Sequence, residues 1–224
     1  MATMGMLREW LYYTWNAHFA KPANLRPLHR AVRRQRVRRI LELGIGDASR
    51  AQALIRTAAI DGGSAAVTYA AVDLFEARPA PSVLGRTSSD VPSRYDPSTD
   101  AHEPLPLKEA YCRLKSTGAQ IRLLPGDPYS ALARGANDLG QLDIILVGPD
   151  VDAESLSAAW FYVPRLLHEE TQFWTARRDD EGEVRYELAA LADVDALARE
   201  ATARRRATTA ATTTGHRGSM RRAA

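Results

Sequence analysis

Five short apolar runs recur along the chain, each closed by an acid or a glycine or followed by helix-like spacing. They are "RRILEL" (38–43), "AVTYAAVDLF" (66–75), "QIRLLPGD" (120–127), "LDIILVGPD" (142–150) and "TQFWTA" (171–176). Runs this short and this apolar read as strands buried on both faces. The intervening patterns "RAQALIRTAAI", "LPLKEAYCRLKSTGA", "YSALARGANDLG" and "ESLSAAWFYVPRLLHEE" read as helices, the last interrupted at Pro164. Strand, helix, strand in that order imposes right-handed crossovers and a parallel sheet with helices on both faces. The expected fold is therefore an open, doubly wound, mainly parallel α/β domain.

Flanking segments fit around that body. Leu7, Trp10, Leu11, Trp15 and Phe19 have helical spacing and predict a helix laid across the domain. A membrane-surface or partner helix is the other reading, against which its own polar face offers few cations. Residues 27–36 predict a second helix with Pro27 in its first turn, Leu28, Ala31 and Val32 inward and its arginines solvated. The stretch "EVRYELAALADVDALAREA" holds a further strand and then a helix from near Asp193. Residues 76–104, rich in Pro, Ser and Asp, read as a long loop of the kind that is either functional or disordered. The domain plan is thus a helical segment over 1–36, an α/β domain over 37–200 and a basic, disordered tail over 201–224.

The charge of +3 is not evenly spread: the six arginines of 201–224 leave −3 on the first 200 residues. Arg outnumbers Lys 27 to 3, which GC-rich coding explains, so the arginine run 26–39 is weak evidence for nucleic acid. One cysteine, Cys112, excludes an internal disulfide framework and suits a reducing cytoplasm; in a helical pattern it reads as a small core residue. No apolar run approaches the roughly 20 residues of a membrane helix, and the opening residues lack the basic start and cleavage site of a secretory signal.

In a doubly wound sheet, ligands bind beyond the carboxyl ends of the strands. At those ends stand Glu42, Gly44 and Gly46, then Asp73, then Asp127, then Gly148-Pro149-Asp150. Each acid is open to a plainer role as a helix cap, which suits Asp127 before Pro128 well and Glu42 poorly. A dinucleotide fingerprint wants Gly or Ala where this chain has Ser49, and a P-loop lacks its Gly-Lys-Ser/Thr. Acids around a bare glycine turn suit a ligand with a cationic amine or sulfonium and a ribose, and no phosphate.

"LELGIGDA" with "AVDLF" and "PGDPY" resembles the class I S-adenosylmethionine-dependent methyltransferases over about residues 37–175. The resemblance implies a Rossmann-like fold and S-adenosyl-L-methionine as cofactor. It implies that Gly44 and Gly46 floor the methionine side, with Glu42 near the amino acid moiety. Asp73 becomes the ribose acid and Asp127 the adenine neighbour. Ala48 replaces the family's third glycine.

The acceptor side is less legible. Metal-dependent O-methyltransferases of this fold carry an aspartate directly after the fourth strand and a lysine nearby; this chain has Gly148 and no such lysine. Asp150 and Asp152 read as loop or cap residues, and the five histidines show no metal-ligand spacing. "GDPY" (126–129) lacks the second proline of the amino-methylating tetrapeptide and follows the wrong strand. The expected function is a cytoplasmic methyltransferase acting on a small molecule. The alternatives are a nucleic-acid methyltransferase or binding module using the arginine-rich segments, or a non-catalytic scaffold of the same fold. A nicotinamide enzyme stands further off.

Overall fold

The computed structural model describes residues 2–19, 23–60, 62–77, 105–179 and 183–220, with side chains for 10–19, 23–60, 62–76, 105–179 and 183–208. The six strands are β1 (Arg39–Leu43), β2 (Thr68–Asp73), β3 (Gln120–Pro125), β4 (Ile144–Val147), β5 (Gln172–Arg178) and β6 (Val184–Ala189). They form one sheet in the order β3-β2-β1-β4-β5-β6. The first five are parallel and β6 returns antiparallel to β5, with Asp179 and Glu183 closing the hairpin through paired backbone and side-chain bonds. The sequence foresaw five parallel strands and a sixth of open direction. Chain order reverses between β1 and β4, which are neighbours in register from Ile40↔Ile144 to Leu43↔Val147.

Strand alternation divides the core into two layers. Ile40, Tyr69, Ala71, Ile144 and Leu146 face α2 (Arg26–Gln35), α3 (Ser49–Ala59) and α4 (Leu107–Lys115). Leu41, Leu43, Val72, Ile145 and Phe173 face α5 (Pro128–Leu139), α6 (Ala153–Ala159) and α7 (Leu191–Met220). Pro164 falls in a short 3-10 turn, Val163–Leu166, after α6, where the sequence predicted a helix interrupted or restarted at that proline. Among the described residues no helix is long and apolar enough to cross a membrane.

Three expectations need correction. The first helix, α1 (Ala2–His18), does not lay its aromatic stripe on the body. It packs on α2 through Ala17 and Tyr13, the latter under the Arg33 guanidinium, while Trp10, Leu11, Trp15 and Phe19 are each more than half exposed. The reason is that α2 already covers the sheet there, so α1 meets a helix and needs only a narrow contact. The side chain of Leu7 and the loop 78–104 lie outside the described residues. Cys112 is exposed, because Ala110 and Leu114 occupy the buried face of α4. Finally, the segment from 201 is not irregular: α7 continues through it to Met220. Ala201 is buried, Arg204 donates to Ser157, and Arg205 stacks over Phe161 at 4.4 Å and donates to Tyr162 at 2.9 Å. Cation–aromatic contacts there replace the apolar face that the sequence lacks.

On α2 the inward residues are Leu28, His29 and Val32, with Ala31 only partly buried. His29 Nδ1 lies 2.8 Å from Thr57 Oγ1, whose own proton goes to the Ala53 carbonyl at 2.9 Å. His29 is therefore the donor in that pair and carries its proton on Nδ1. Burial lowers its pKa from 6.5 to about 4. Between those values the unfolded chain binds the proton and the folded chain does not. Stability is then full above pH 6.5 and falls, by on the order of 3 kcal/mol, as pH drops toward 4. Urea unfolding at pH 7 and pH 4.5 is expected to show that loss, and His29→Gln to flatten it.

Candidate functional site

The β1 strand gives way to a turn in which three residues take positive φ: Gly44 (+80°), Gly46 (+62°) and Ala48 (+67°). Each requirement has its own cause. A Cβ at Gly44 would stand 2.7 Å from Val151 Cγ2, so the β4–α6 connection leaves room for glycine alone. At Gly46 a Cβ would meet nothing within 4 Å; the constraint is purely conformational, and bare main chain faces open space. Ala48, fully buried, is held left-handed at the start of α3 at a cost of about 1 kcal/mol. Across the β1/β4 crevice the backbones are close: Gly148 N donates to Leu43 O at 2.7 Å, and a Cβ on Gly148 would lie 2.6 Å from Gly44 O. The sequence marked Gly148 only as a missing aspartate, whereas its lack of a side chain is what lets the two strand ends touch.

Glu42, fully buried, points from β1 toward α3. Its Oε1 receives Arg50 Nε at 2.7 Å and also Arg50 Nη2, and its Oε2 receives the Tyr69 hydroxyl at 2.6 Å. Arg50 further donates to the Gly44 carbonyl at 2.9 Å and to the Tyr186 hydroxyl on β6. Burial acts against the charged guanidinium, but the adjacent Glu42 more than offsets it and raises the Arg50 pKa. Burial first, and then the Glu42 charge, push the Tyr69 phenol well up, so it remains a donor. The resemblance implies a place for Glu42 near a ligand's amino acid moiety; the structure holds it buried beneath the glycine turn. Its charge is neutralised inside the domain, and its oxygens are taken up by Arg50 and Tyr69. Arg50 and the two tyrosines were missed in the sequence. The available signal was that a carboxylate within a buried strand requires a cation, and Arg50 is the first one that follows.

The remaining acids hold the same edge of the sheet. Asp73 Oδ2 accepts from Ile45 N at 2.9 Å, tying the end of β2 to the middle of the glycine turn, and Oδ1 accepts from Phe75 N at 3.3 Å. Asp47 accepts from Ser49 N at 3.0 Å and from the Ser49 hydroxyl, so a carboxylate already closes the N-terminus of α3. Asp127 caps α5, accepting from Ser130 N at 3.1 Å and Ser130 Oγ at 2.5 Å. It also receives Ser155 Oγ at 2.5 Å from α6. Burial works against its charge, but hydrogen bonds from Ser130 and Ser155 hold its pKa at about 2. Asp152 caps α6 through Ser155 N at 2.7 Å, and Asp150 pairs with Arg178 at 3.1 Å. The five sequence-derived positions thus gather at one edge, with Arg50 joining Glu42 to Gly44, and with Asp127 in a network of its own. Gly44, Gly46 and Asp73 share the turn, Glu42 lies beneath it, and Asp127 belongs to the joined starts of α5 and α6. Among the described residues no three of His, Cys, Asp and Glu come together as metal ligands.

No protein-family model and no curated protein matches the chain. Solved structures of similar fold include the O-methyltransferase from Bacillus cereus in complex with SAH. It is 16% identical, with a TM-score of 0.49 over 80% of this chain and 68% of that one. A TehB-like SAM-dependent methyltransferase from Corynebacterium glutamicum is 12% identical, with a TM-score of 0.44 over 90% and 84%. An O-methyltransferase family protein from Burkholderia thailandensis is 13% identical, with a TM-score of 0.42 over 80% and 52%. At such values these are resemblances of backbone path, and the chemistry rests on the residues themselves.

Removing one member of a buried ion pair leaves an uncompensated charge and costs about 3–5 kcal/mol. Arg50→Met is expected to lose that much in chemical denaturation. The double variant Glu42→Gln/Arg50→Met is expected to lose clearly less, since no charge then remains in the core.

Proposed function

We propose that the turn from Gly44 to Ala48 holds S-adenosyl-L-methionine and that the protein is a methyltransferase of the class I type. The observation that carries this reading is the bare main chain at Gly46, open on one side and fixed at the β1/β4 crevice. Ligands of doubly wound folds lie at that crevice, where strand order reverses.

The carboxylate that disfavours a pyrophosphate at this turn is Asp47 rather than Glu42, whose charge Arg50 neutralises. Anions bind helix starts through exposed N–H groups. At α3 a carboxylate already accepts one of those groups, so a phosphate would meet like charge there. A nucleoside without phosphate suits the turn, and a sulfonium suits the acids around it. In this reading Gly46 floors the methionine side, and the Asp73 carboxylate accepts the ribose hydroxyls. Asp127, ionised at ordinary pH, faces the adenine amine, while Glu42 acts only through Arg50 and the turn. When bound, the cofactor supplies an electrophilic methyl group, and the domain's part is to orient it for in-line transfer.

The acceptor is proposed to be a small molecule and the setting the cytoplasm. Asp47, Asp73, Glu76, Asp127, Asp150 and Asp152 cluster around the strand ends, and such a rim repels a polyanion. Tyr129, about two-fifths exposed and 5.8 Å from Tyr162, is the aromatic beside Asp127 available to line an acceptor pocket.

Titration calorimetry is expected to give binding of S-adenosylmethionine and S-adenosylhomocysteine and none of NAD. Gly46→Val, which puts a branched side chain into the open space, and Asp73→Asn are each expected to weaken binding at least about tenfold, roughly 1.4 kcal/mol. Absence of heat from a folded wild-type protein at millimolar ligand overturns the assignment. Methylation of RNA in place of small acceptors overturns the acceptor class.

A further inference from the structure

We propose that α1 and α2 together form a docking surface for anionic lipid membranes. Charge is segregated along this chain far more sharply than its total suggests. Residues 1–39 carry nine Arg and Lys against the single acid Glu9, a charge of +8, while residues 40–200 carry 15 against 26, a charge of −11. The basic segment is also where the apolar surface is concentrated. Of the eight large apolar side chains exposed among the described residues, Trp10, Leu11, Trp15 and Phe19 fall within ten residues of α1 at 53–63% exposure. Trp15 and Phe19 are in ring contact at 5.9 Å, and Leu11 precedes them at the same four-residue spacing, so these three share one face. Single exposed apolar residues mean little, but a contiguous aromatic patch marks a binding surface.

The objection visible in the sequence was that α1 has few cations of its own. The fold answers it by packing α1 on α2, whose Arg30 and Arg34 are exposed, as is Arg36 at its C-cap. Aromatics from one helix and cations from its neighbour then reproduce the two requirements of an interfacial helix. Trp and Phe partition at the headgroup level, and each arginine near an anionic surface contributes about 1 kcal/mol. The same charge argues against a second copy of the chain as the occupant, since two faces that each expose Arg30, Arg34 and Arg36 repel on approach. A protein groove of apolar character would leave the arginines unanswered.

The test uses the full chain with vesicles of phosphatidylcholine alone or containing roughly 30 mol% phosphatidylglycerol, a composition with an appreciable negative surface potential. Sedimentation is expected to show at least about tenfold tighter partition to the anionic vesicles, weakening with salt. Trp160 and Trp174 are buried, so a blue shift of emission and its quenching by brominated lipid report on Trp10 and Trp15. Trp15→Ala/Phe19→Ala is expected to abolish the shift. Arg30→Gln/Arg34→Gln is expected to weaken partition by about fivefold per arginine. All four side chains are exposed, and circular dichroism confirms that the variants remain folded. Three results overturn the proposal: no partition to anionic vesicles at millimolar lipid, partition unchanged by both variants, or a stable dimer or RNA complex that the variants dissolve while lipid binding is absent. None of these bears on cofactor binding at the glycine turn.

Discussion

The pairing of Glu42 with Arg50 is the contact on which the strand-end architecture turns. A carboxylate in the middle strand of a buried sheet is tolerable only when its charge and its lone pairs are both answered. One guanidinium and one phenol do this, and the same guanidinium reaches the Gly44 carbonyl. The start of the glycine turn is therefore fixed from below by Arg50, while Asp73 fixes its middle through Ile45 N. Two acids thus hold a loop of unusual dihedrals from two strands, which leaves the outer side of Gly46 bare without leaving it slack.

That rigidity is achieved at the place where the topology opens a crevice. Helices α3 and α4 lie on one face and α5 on the other, so no crossover covers the gap between the ends of β1 and β4. Gly44 and Gly148 narrow the base of the gap until main chain touches main chain, and Val151 fills the space beside Gly44. What remains open lies above Gly46. The glycines of this region are thus not equivalent: two serve packing between strand ends, and one leaves bare main chain facing open space.

Fold class was legible because burial on both faces writes itself as short apolar runs, a signal that survives without knowledge of neighbours. The antiparallel direction of β6 was not, since periodicity is blind to direction. The glycine turn and the acid after β2 were legible as positions, and Asp127 as a helix cap. The pairing of Glu42 was not legible because its partner stands eight residues away, and spacing alone does not say that Arg50 folds back across the turn. Outward aromatics on α1 failed for a related reason. Helical periodicity identifies an apolar face, but not whether the surface beneath it is already occupied. The helical continuation after residue 201 is held in its first turns by Arg205 on aromatic rings, a contact that no apolar pattern encodes.

Tyr186 gives the edge hairpin an importance that its position would not suggest. Strand β6 is outermost and paired on one side only, the usual place for fraying. Yet its phenol hydroxyl receives Arg50, and its ring lies 5.5 Å from that guanidinium. Peeling the hairpin away would therefore loosen the anchor beneath the glycine turn several strands distant. Amide exchange at the rim and at Gly44 is thereby expected to follow a common opening, joining the most peripheral strand to the most central loop in a single cooperative unit.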